Sequence, residues 1–299
     1  MTLAATLVAT GAADAPPKCF GAASRDPGYR CKNPDLRTMV VPTPGDAALM
    51  PSAPCSPLKS PIACSFGTPA ARARATVALI GDSHAEHWRA SLWPVTRALR
   101  WSGVSITRGG CPLSRAVPRT TRSGQAKCAA FTRGLTRWLR NHPKVSTVFT
   151  SNHPGHVVHP RGTSDKRARL AGIVAALRKL PRTVKHVIVI RDTPFMRQPT
   201  LVCVRRAIRK QIDAGRACAF SRRKKLHDDL YVAAAKRVRS PRVQVVDMTH
   251  FLCGRRLCYP VVGGVLVYKD AFDHLTTVYG RTLAPYVLAR VKRLMSSWR

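Results

Sequence analysis

The stretch Thr76-Val-Ala-Leu-Ile-Gly-Asp-Ser-His84 joins a short apolar run to the start of a helical pattern. The run and the glycine that ends it predict a buried strand, and apolar residues at helical spacing over 84–100 predict a helix kinked by Pro94. Ser83 falls at the turn between them, where a hydroxyl is exposed and the free N–H groups of the helix point towards whatever it attacks. The stretch therefore predicts either a nucleophilic serine or a helix cap formed by Ser83 or Asp82.

The same alternation of apolar runs and helical stretches continues to the end of the chain. It predicts further strands at 104–107, 145–150, 184–190 and 243–246, and helices near 125–141, 164–180, 221–238 and 275–297. Strands that alternate with helices predict a mostly parallel sheet covered on both faces, with ligands beyond the carboxyl ends of the strands. Residues 1–74, rich in Pro, Ala and Gly, are expected to form a loop-rich lead-in, and residues 75–299 the α/β domain.

The segment Tyr268-Lys-Asp-Ala-Phe-Asp-His-Leu-Thr276 presents two aspartates and a histidine before the last predicted helix. A serine hydroxyl is a poor nucleophile until an imidazole takes its proton, and the imidazole needs an acceptor that fixes its tautomer. Ser83 after the first strand and His274 before the last helix, with Asp270 or Asp273, meet that requirement. Asp192 and Asp247 also follow apolar runs, and they either line the same cleft or cap loops and pair with arginines.

The motif around Ser83 and the motif over 268–276, called the end motifs below, resemble those of the SGNH (GDSL-like) hydrolase superfamily. The resemblance is specifically to the C-terminal SGNH domain of bacterial acyltransferase-3 proteins. The resembling residues are Gly81-Asp-Ser-His-Ala85 with Trp88, Gly110-Cys-Pro112, Cys253 with Cys258, Tyr268-x-Asp, His274-Leu-Thr276 and the leading Cys19-Phe-Gly-Ala-Ala-Ser-Arg-Asp26. The resemblance implies a three-layer, flavodoxin-like α/β fold with a five-stranded parallel sheet and an acyl-enzyme intermediate. It makes Ser83 the nucleophile, His274 the general base, and the N–H groups of Ser83 and of Gly109 or Gly110 the oxyanion hole.

The sequence departs from that family pattern at two positions. The family places its aspartate three residues before the histidine, where this chain has Ala271, so Asp270 or Asp273 must serve. We expect Asp270, because residues four apart share a face of a helical turn and neighbours diverge. Asn152 stands where many relatives have a third oxyanion donor, but without the surrounding family pattern it is equally interpreted as an ordinary loop asparagine.

Ten cysteines fall along the chain as five local couples: 19 with 31, 55 with 64, 111 with 128, 203 with 218, and 253 with 258. The simplest pairing makes each couple a disulfide, with reduced buried cysteines as the alternative. Because disulfides persist in oxidising compartments, the couples predict a protein that works outside the cytoplasm. The apolar start, residues 1–15, has the small-residue cleavage site of a signal peptide but lacks its basic n-region. The alternative is that it is the tail of a longer membrane-embedded protein.

The formal net charge is +37, from 51 Lys and Arg against 14 Asp and Glu, and the densest basic run spans 205–225. Such a surface predicts salt-dependent binding to polyanions such as anionic envelope polymers. Few aromatic residues interleave with the run, which argues against specific nucleic-acid binding. An apolar fraction of 45% excludes intrinsic disorder, and no window holds the roughly 18 uncharged apolar residues of a membrane span.

Together these features predict an extracytoplasmic, serine-dependent O-acyl esterase or O-acyltransferase that acts on cell-envelope glycans. Its expected partners are an acylated glycan or other acyl ester and a membrane acyltransferase-3 domain as acyl donor. The alternative is an inactive SGNH-like module that binds polyanions. No cofactor or metal is expected, because His153, His156 and His159 lie in a Pro- and Gly-containing loop without nearby cysteine or carboxylate ligands.

Overall fold

The computed structural model describes residues 15–59, 62–117, 120–153, 165–226 and 228–298. Most of the apolar start of the chain, as well as His156 and His159, lies outside them. The described strands are β1 (Ser56–Pro57), β2 (Cys64–Gly67), β3 (Ala75–Gly81), β4 (Trp101–Thr107), β5 (Val145–Ser151), β6 (His186–Ile190), β7 (Phe220–Ser221), β8 (Val243–Val246), β9 (Leu257–Cys258), β10 (Val261–Val262) and β11 (Val265–Leu266).

Helices connect the long strands along the chain, and further helices precede the first long strand and follow the last. They are α1 (Pro44–Leu49), α2 (Ser83–His87), α3 (Arg89–Ala98), α4 (Arg122–Asn141), α5 (Asp165–Arg178), α6 (Gln198–Arg209), α7 (Ala214–Ala217), α8 (Arg222–Lys225), α9 (Leu230–Val238), α10 (Thr249–Leu252) and α11 (Thr277–Ser296). The 3₁₀ turns that the structure describes occupy Gly21–Arg25, Pro34–Leu36 and Ala70–Arg72. In the part of the chain described, no helix has the length and apolar character needed to cross a membrane.

Among the described residues, the central sheet has seven strands in the order β1-β2-β4-β3-β5-β6-β8. Its five long strands, from β4 to β8, run parallel to one another, which confirms the predicted five-stranded parallel sheet. The order of these five is that of a flavodoxin-like sheet, in which the first strand lies between the second and the third. Two short antiparallel strands, β1 and β2, extend the sheet beyond the prediction at the β4 edge.

Alternate side chains of the parallel strands pack on opposite faces of the sheet. Val77 and Leu79 of β3 belong to one apolar core, together with buried residues of α3, α6 and α11. Ala78 and Ile80 belong to a second core, together with buried residues of α4, α5 and α9. A strand that is buried on both faces must be apolar at successive positions, which explains the continuous run at 77–80. The result is the predicted three-layer arrangement.

The structure differs from the helical predictions in three places. The predicted helix near 221–238 is instead two helices, α8 and α9, because Asp229 caps a new helix by accepting hydrogen bonds from the N–H groups of Tyr231 and Val232. The helix over 84–100 is interrupted at Trp88, and Pro94 lies inside α3. The segment 198–209, for which no helix was predicted and whose last residues belong to the basic run 205–225, forms α6, because Leu201, Val204 and Ala207 recur every third residue and are buried. The helix was not predicted because Arg205 and Arg206 interrupt this apolar pattern in the sequence.

All five cysteine couples form the predicted disulfides: Cys19–Cys31, Cys55–Cys64, Cys111–Cys128, Cys203–Cys218 and Cys253–Cys258. The Cys55–Cys64 bridge links the two strands of the β1–β2 hairpin. Because β2 pairs with β4, part of the segment before residue 75 belongs to the central sheet. The division of the chain at residues 74 and 75 stays a prediction.

Candidate active site

The first element of the site is the turn between β3 and α2 at the carboxyl edge of the sheet. Because β3 lies between β4 and β5, the connections on its two sides diverge here and leave a crevice. Asp82 caps α2: its Oδ1 accepts a hydrogen bond from the N–H of His84 at 2.9 Å, and its Oδ2 accepts one from the N–H of His153 at 3.0 Å. The helix cap is thus Asp82, and Ser83 follows it at the first helical position.

Gly81 is required where β3 meets this turn. Its φ is +142°, and a side chain here would put a Cβ 2.6 Å from the carbonyl oxygen of Ser151, at the end of β5. A glycine therefore allows β3 and β5 to stay close up to the residue that precedes the turn.

The second element is the loop between Tyr268 and Leu275, which pair as an antiparallel bridge. Oδ1 of Asp270 accepts hydrogen bonds from the N–H groups of Phe272 and His274, at 3.0 and 3.4 Å. Its Oδ2 lies 2.8 Å from Nδ1 of His274. Burial by itself would raise the pKa of Asp270, but the hydrogen bond and charge of His274 and the two backbone N–H groups lower it. Asp270 is therefore the carboxylate that contacts the imidazole.

The carboxylate of the other candidate acid, Asp273, bonds to a different segment from His274. It accepts a hydrogen bond from the N–H of Met196, its backbone φ is +66°, and the residue is buried. Burial raises the pKa of Asp273 to about 8, with a further contribution from Asp192. A carboxyl group with that pKa is largely protonated at neutral pH, which makes it a poor partner for an imidazolium.

The two elements meet through His84, the residue after Ser83. Nε2 of His84 lies 2.8 Å from the carbonyl oxygen of Phe272, and the His84 ring is centred 5.0 Å from that of His274. Residues 83 and 274, which are 191 positions apart, thus lie at the same edge of the sheet. Nε2 of His274 is buried and has no hydrogen-bond partner among the described residues, so no such bond to Ser83 is formed.

Two more predicted residues follow the neighbouring strands. Gly110 comes after β4 with φ +68°, and a Cβ there would meet no atom within 4 Å. Asn152 comes after β5 and is buried; its Oδ1 accepts from the N–H groups of Leu113 and Asp82, at 2.8 and 3.3 Å. Its Nδ2 donates to Oγ1 of Thr150 at 3.0 Å. Asn152 therefore joins the ends of three segments, and its role as an oxyanion donor stays a prediction.

The two remaining aspartates have different surroundings. Asp192, after β6, lies with its Oδ1 2.7 Å from Nδ1 of the buried His84. Asp247 pairs with Arg191 at 3.3 Å and caps the N–H of Thr249, so it has the structural role that was the alternative. The contact of His84 with Asp192 and Phe272 was missed in the sequence. The available signal was its place directly after the candidate nucleophile at a strand end.

Four imidazoles cluster at this edge: His87, His153 and His274 all have ring centres 4.8–5.2 Å from that of His84. Burial lowers the pKa of His87, and both its ring nitrogens lack hydrogen-bond partners among the described residues. Within the part of the chain that is described, no group of three or more His, Cys, Asp or Glu side chains is placed to hold a metal ion.

Comparison with known proteins gives a family match and similar folds. The family model "SGNH domain (fused to AT3 domains)" matches residues 51–289. The periplasmic domain of a lipopolysaccharide acetyltransferase from Salmonella ser. Paratyphi A is similar with a TM-score of 0.52 and 14% identity, over 74% of this chain and 84% of that one. A protein described as an acylhydrolase from Bacteroides fragilis has a TM-score of 0.40 and 13% identity, over 85% and 95% of the two chains. No curated protein sequence matches significantly.

Proposed function

Because the chain belongs to the SGNH domain family, we propose that it is a serine-dependent O-acyl esterase or O-acyltransferase that acts on cell-envelope glycans. The family match confirms the resemblance drawn from the end motifs. It also supports the general class of chemistry, the hydrolysis or transfer of acyl esters. Beyond this general class, we propose the nucleophile, the other site residues and a glycan substrate.

The observation that carries the proposal is the Asp270–His274 pair at the edge where Ser83 begins α2. An imidazole that donates Nδ1–H to a carboxylate has its other nitrogen free as a base, and Nε2 of His274 has no partner in the described structure. Ser83 belongs to the turn whose next residue touches the His274 loop. A serine at the same sheet edge as a carboxylate-paired imidazole supports nucleophilic catalysis, and the hydrogen bond from Ser83 Oγ to Nε2 of His274 is a step that the proposal adds.

In the proposed reaction, Oγ of Ser83 attacks the carbonyl carbon of the acyl ester while Nε2 of His274 takes the hydroxyl proton. Asp270 stabilises the imidazolium that forms. The tetrahedral intermediate collapses when His274 returns the proton to the departing alkoxide, which leaves the acyl group on Ser83. Water or a sugar hydroxyl then attacks the acyl-enzyme, with His274 again as the base, and regenerates Ser83.

The negative charge of the intermediate needs donors in fixed positions. The proposed donors are the backbone N–H of Ser83, at the start of α2, and that of Gly110, in the turn after β4. The Cys111–Cys128 bridge fixes this turn against α4. One donor of this kind stabilises the transition state by about 3–4 kcal/mol in other acyl-transfer enzymes.

Three features support an extracytoplasmic glycan as the substrate. Five disulfides fit an oxidising compartment. The family is described as fused to AT3 domains, which supports a membrane acyltransferase-3 domain as the acyl donor. The Salmonella domain with a similar fold belongs to a lipopolysaccharide acetyltransferase and is periplasmic.

The net charge of +37 favours a second candidate function, that of an inactive module that binds anionic envelope polymers. In that case affinity for an acidic wall polymer falls steeply as salt rises, and substitution of Ser83 leaves the protein's behaviour unchanged. Binding that does not weaken with salt would contradict the proposal that the charge binds anionic polymers.

The deciding experiment compares the hydrolysis of a small acetyl ester by the wild type and by Ser83→Ala. Ser296→Ala, an exposed serine at the end of α11, is the matched control. We expect loss of activity only in Ser83→Ala, and a mass increase of one acetyl group on Ser83 when the wild type is quenched during turnover. Equal hydrolysis by all three proteins, or none by the wild type with several acyl esters, would refute the esterase proposal.

A further inference from the structure

We propose that His84 is a positioning residue that holds the loop carrying Asp270 and His274 against the turn carrying Ser83. The inference rests on the proposed function, because it names what orients the general base of that same site. Nothing in the reaction as derived above uses His84, whose ring nitrogens bond to Asp192 and Phe272 and make no hydrogen bond to the free nitrogen of His274.

The surroundings of the ring require both its nitrogens to donate. Nδ1 lies 2.7 Å from a carboxylate oxygen of Asp192, and Nε2 lies 2.8 Å from the carbonyl oxygen of Phe272. A carbonyl oxygen accepts only, and so does an ionised carboxylate. A neutral imidazole can donate to just one of them, whereas an imidazolium donates to both. The ring is 1% exposed, so water does not substitute for either partner.

The charges around His84 favour that imidazolium. Burial alone would lower the pKa of His84, but the Asp192 carboxylate, by its charge and hydrogen bond, raises it to about 9, with help from Asp82 and Asp273. The other groups that face the ring are the imidazoles of His87, His153 and His274. At neutral pH the cation is thus held by the carboxylates of Asp192, at the end of β6, and Asp82, at the end of β3, because Asp273 is then largely protonated.

The loop is held internally by Asp270 and by the Tyr268–Leu275 bridge, so its place against the rest of the protein depends on its contacts with other segments. The side chain of Phe272, at its tip, is 69% exposed and contributes little to the core, so the tip is fixed through its carbonyl group. The neighbouring Asp273 is held by Thr193, whose hydroxyl donates to its carbonyl oxygen at 3.0 Å, and by the N–H of Met196. These two contacts anchor the loop to the segment after β6. Nζ of Lys269 adds a contact to the carbonyl oxygen of Met50 at 3.1 Å, and among these contacts of the described residues it is His84 that joins the loop directly to the β3–α2 turn.

A matched pair of substitutions separates this hydrogen bond from burial and charge. In His84→Gln the amide nitrogen reaches about as far as Nε2 and can still donate to Phe272. In His84→Asn it reaches only as far as Nδ1 and can donate to Asp192 alone. Both variants are uncharged and of similar polarity. His87→Asn removes a buried imidazole from the same helix that has no hydrogen-bond partner in the described structure, and serves as the control.

For His84→Asn we expect kcat for the acetyl ester to fall by about 10²-fold with little change in KM, since misplacing a catalytic group by about 1 Å has that effect. His84→Gln should lose about tenfold less, because it keeps the loop bond. In the pH profile of kcat/KM, the decrease on the acidic side should move to higher pH in both variants. The reason is that a positive charge 5.0 Å from the His274 ring has been removed. His87→Asn should lower stability without this pattern.

Two measurements do not depend on activity. Nitrogen NMR of the wild type should show His84 protonated on both ring nitrogens at pH 7, and hydrogen exchange at the amides of Phe272 and His274 should be faster in His84→Asn than in His84→Gln. A singly protonated ring, or equal exchange and equal kcat in the two variants, would overturn the inference. If the wild type has no Ser83-dependent activity, the proposed function fails, and these two measurements alone decide the role of His84.

Discussion

Oδ2 of Asp270 lies 2.8 Å from Nδ1 of His274 across a loop whose ends, Tyr268 and Leu275, are paired. The expectation from sequence was that four-residue spacing would bring the two groups together on a helical turn. The contact forms instead because the Asp270 side chain accepts the N–H groups of Phe272 and His274, which folds the loop back over it. The extra residue relative to the family pattern is thus accommodated without loss of an acid–imidazole contact.

Asp270→Asn tests this assignment. An asparagine favours the wrong tautomer of the imidazole and does not stabilise the imidazolium, so we expect kcat/KM for an acetyl ester to fall by about 10³–10⁴-fold. Asp273→Asn is the matched control three residues away, because its carbonyl oxygen can still accept from Met196, and its loss should be far smaller. A larger loss in Asp273→Asn would make that residue the catalytic acid.

Asp273 and His84 also predict how stability depends on pH. The folded-state pKa of Asp273 is about 8 and its ordinary value is 3.8, so between these pH values the folded protein binds one more proton than the unfolded chain. Stability therefore falls as pH rises through this window. His84, with a folded pKa of about 9 against 6.5, adds a loss that begins at pH 6.5.

Urea unfolding of the wild type and Asp273→Asn between pH 6 and 8.5 measures this dependence. The variant cannot ionise at position 273, so its free energy of unfolding should fall less steeply with pH, and the remaining slope should reflect His84, with a contribution from Asp229, whose pKa is raised to about 6, at the acidic end. The two proteins should differ most at the alkaline end of the range. Parallel curves for the two proteins would show that Asp273 is ionised in the folded state.

Much of this architecture could be predicted because it depends on local patterns. Apolar runs located the parallel strands, the cysteine couples are close in sequence, and both end motifs are continuous stretches. The contact of His84 with Asp192 could not be predicted, because it joins residues 108 positions apart and depends on the order of the strands. Helix α6 was missed for a different reason: its stripe of Leu201, Val204 and Ala207 is narrow and interrupted by arginines.

The Cys111–Cys128 bridge is expected to support catalysis as well as stability. It closes a 17-residue separation and follows Gly110 directly, whereas Cys203–Cys218 closes a 15-residue separation at α6. Replacing either pair by serines should lower the free energy of unfolding by about 2–4 kcal/mol, measured by urea unfolding. Only the loss at 111 and 128 should also lower kcat, because it frees the turn proposed to carry an oxyanion donor. Equal kcat losses in both double variants would remove the special role of this bridge.

Gly110 and Gly109 provide a paired test of the oxyanion hole itself. A Cβ at either position meets no atom within 4 Å, so added bulk is tolerated at both. Gly110 alone has a left-handed backbone, with φ +68°, which costs an alanine about 1–2 kcal/mol. Gly110→Ala should relieve that strain by rotating its peptide and displacing the N–H, and loss of one donor lowers kcat by about 10²–10³-fold. Gly109→Ala should keep its kcat, and KM should change little in either variant. Steady-state kinetics with an acetyl ester measures both, and a larger kcat loss in Gly109→Ala would move the donor to that residue.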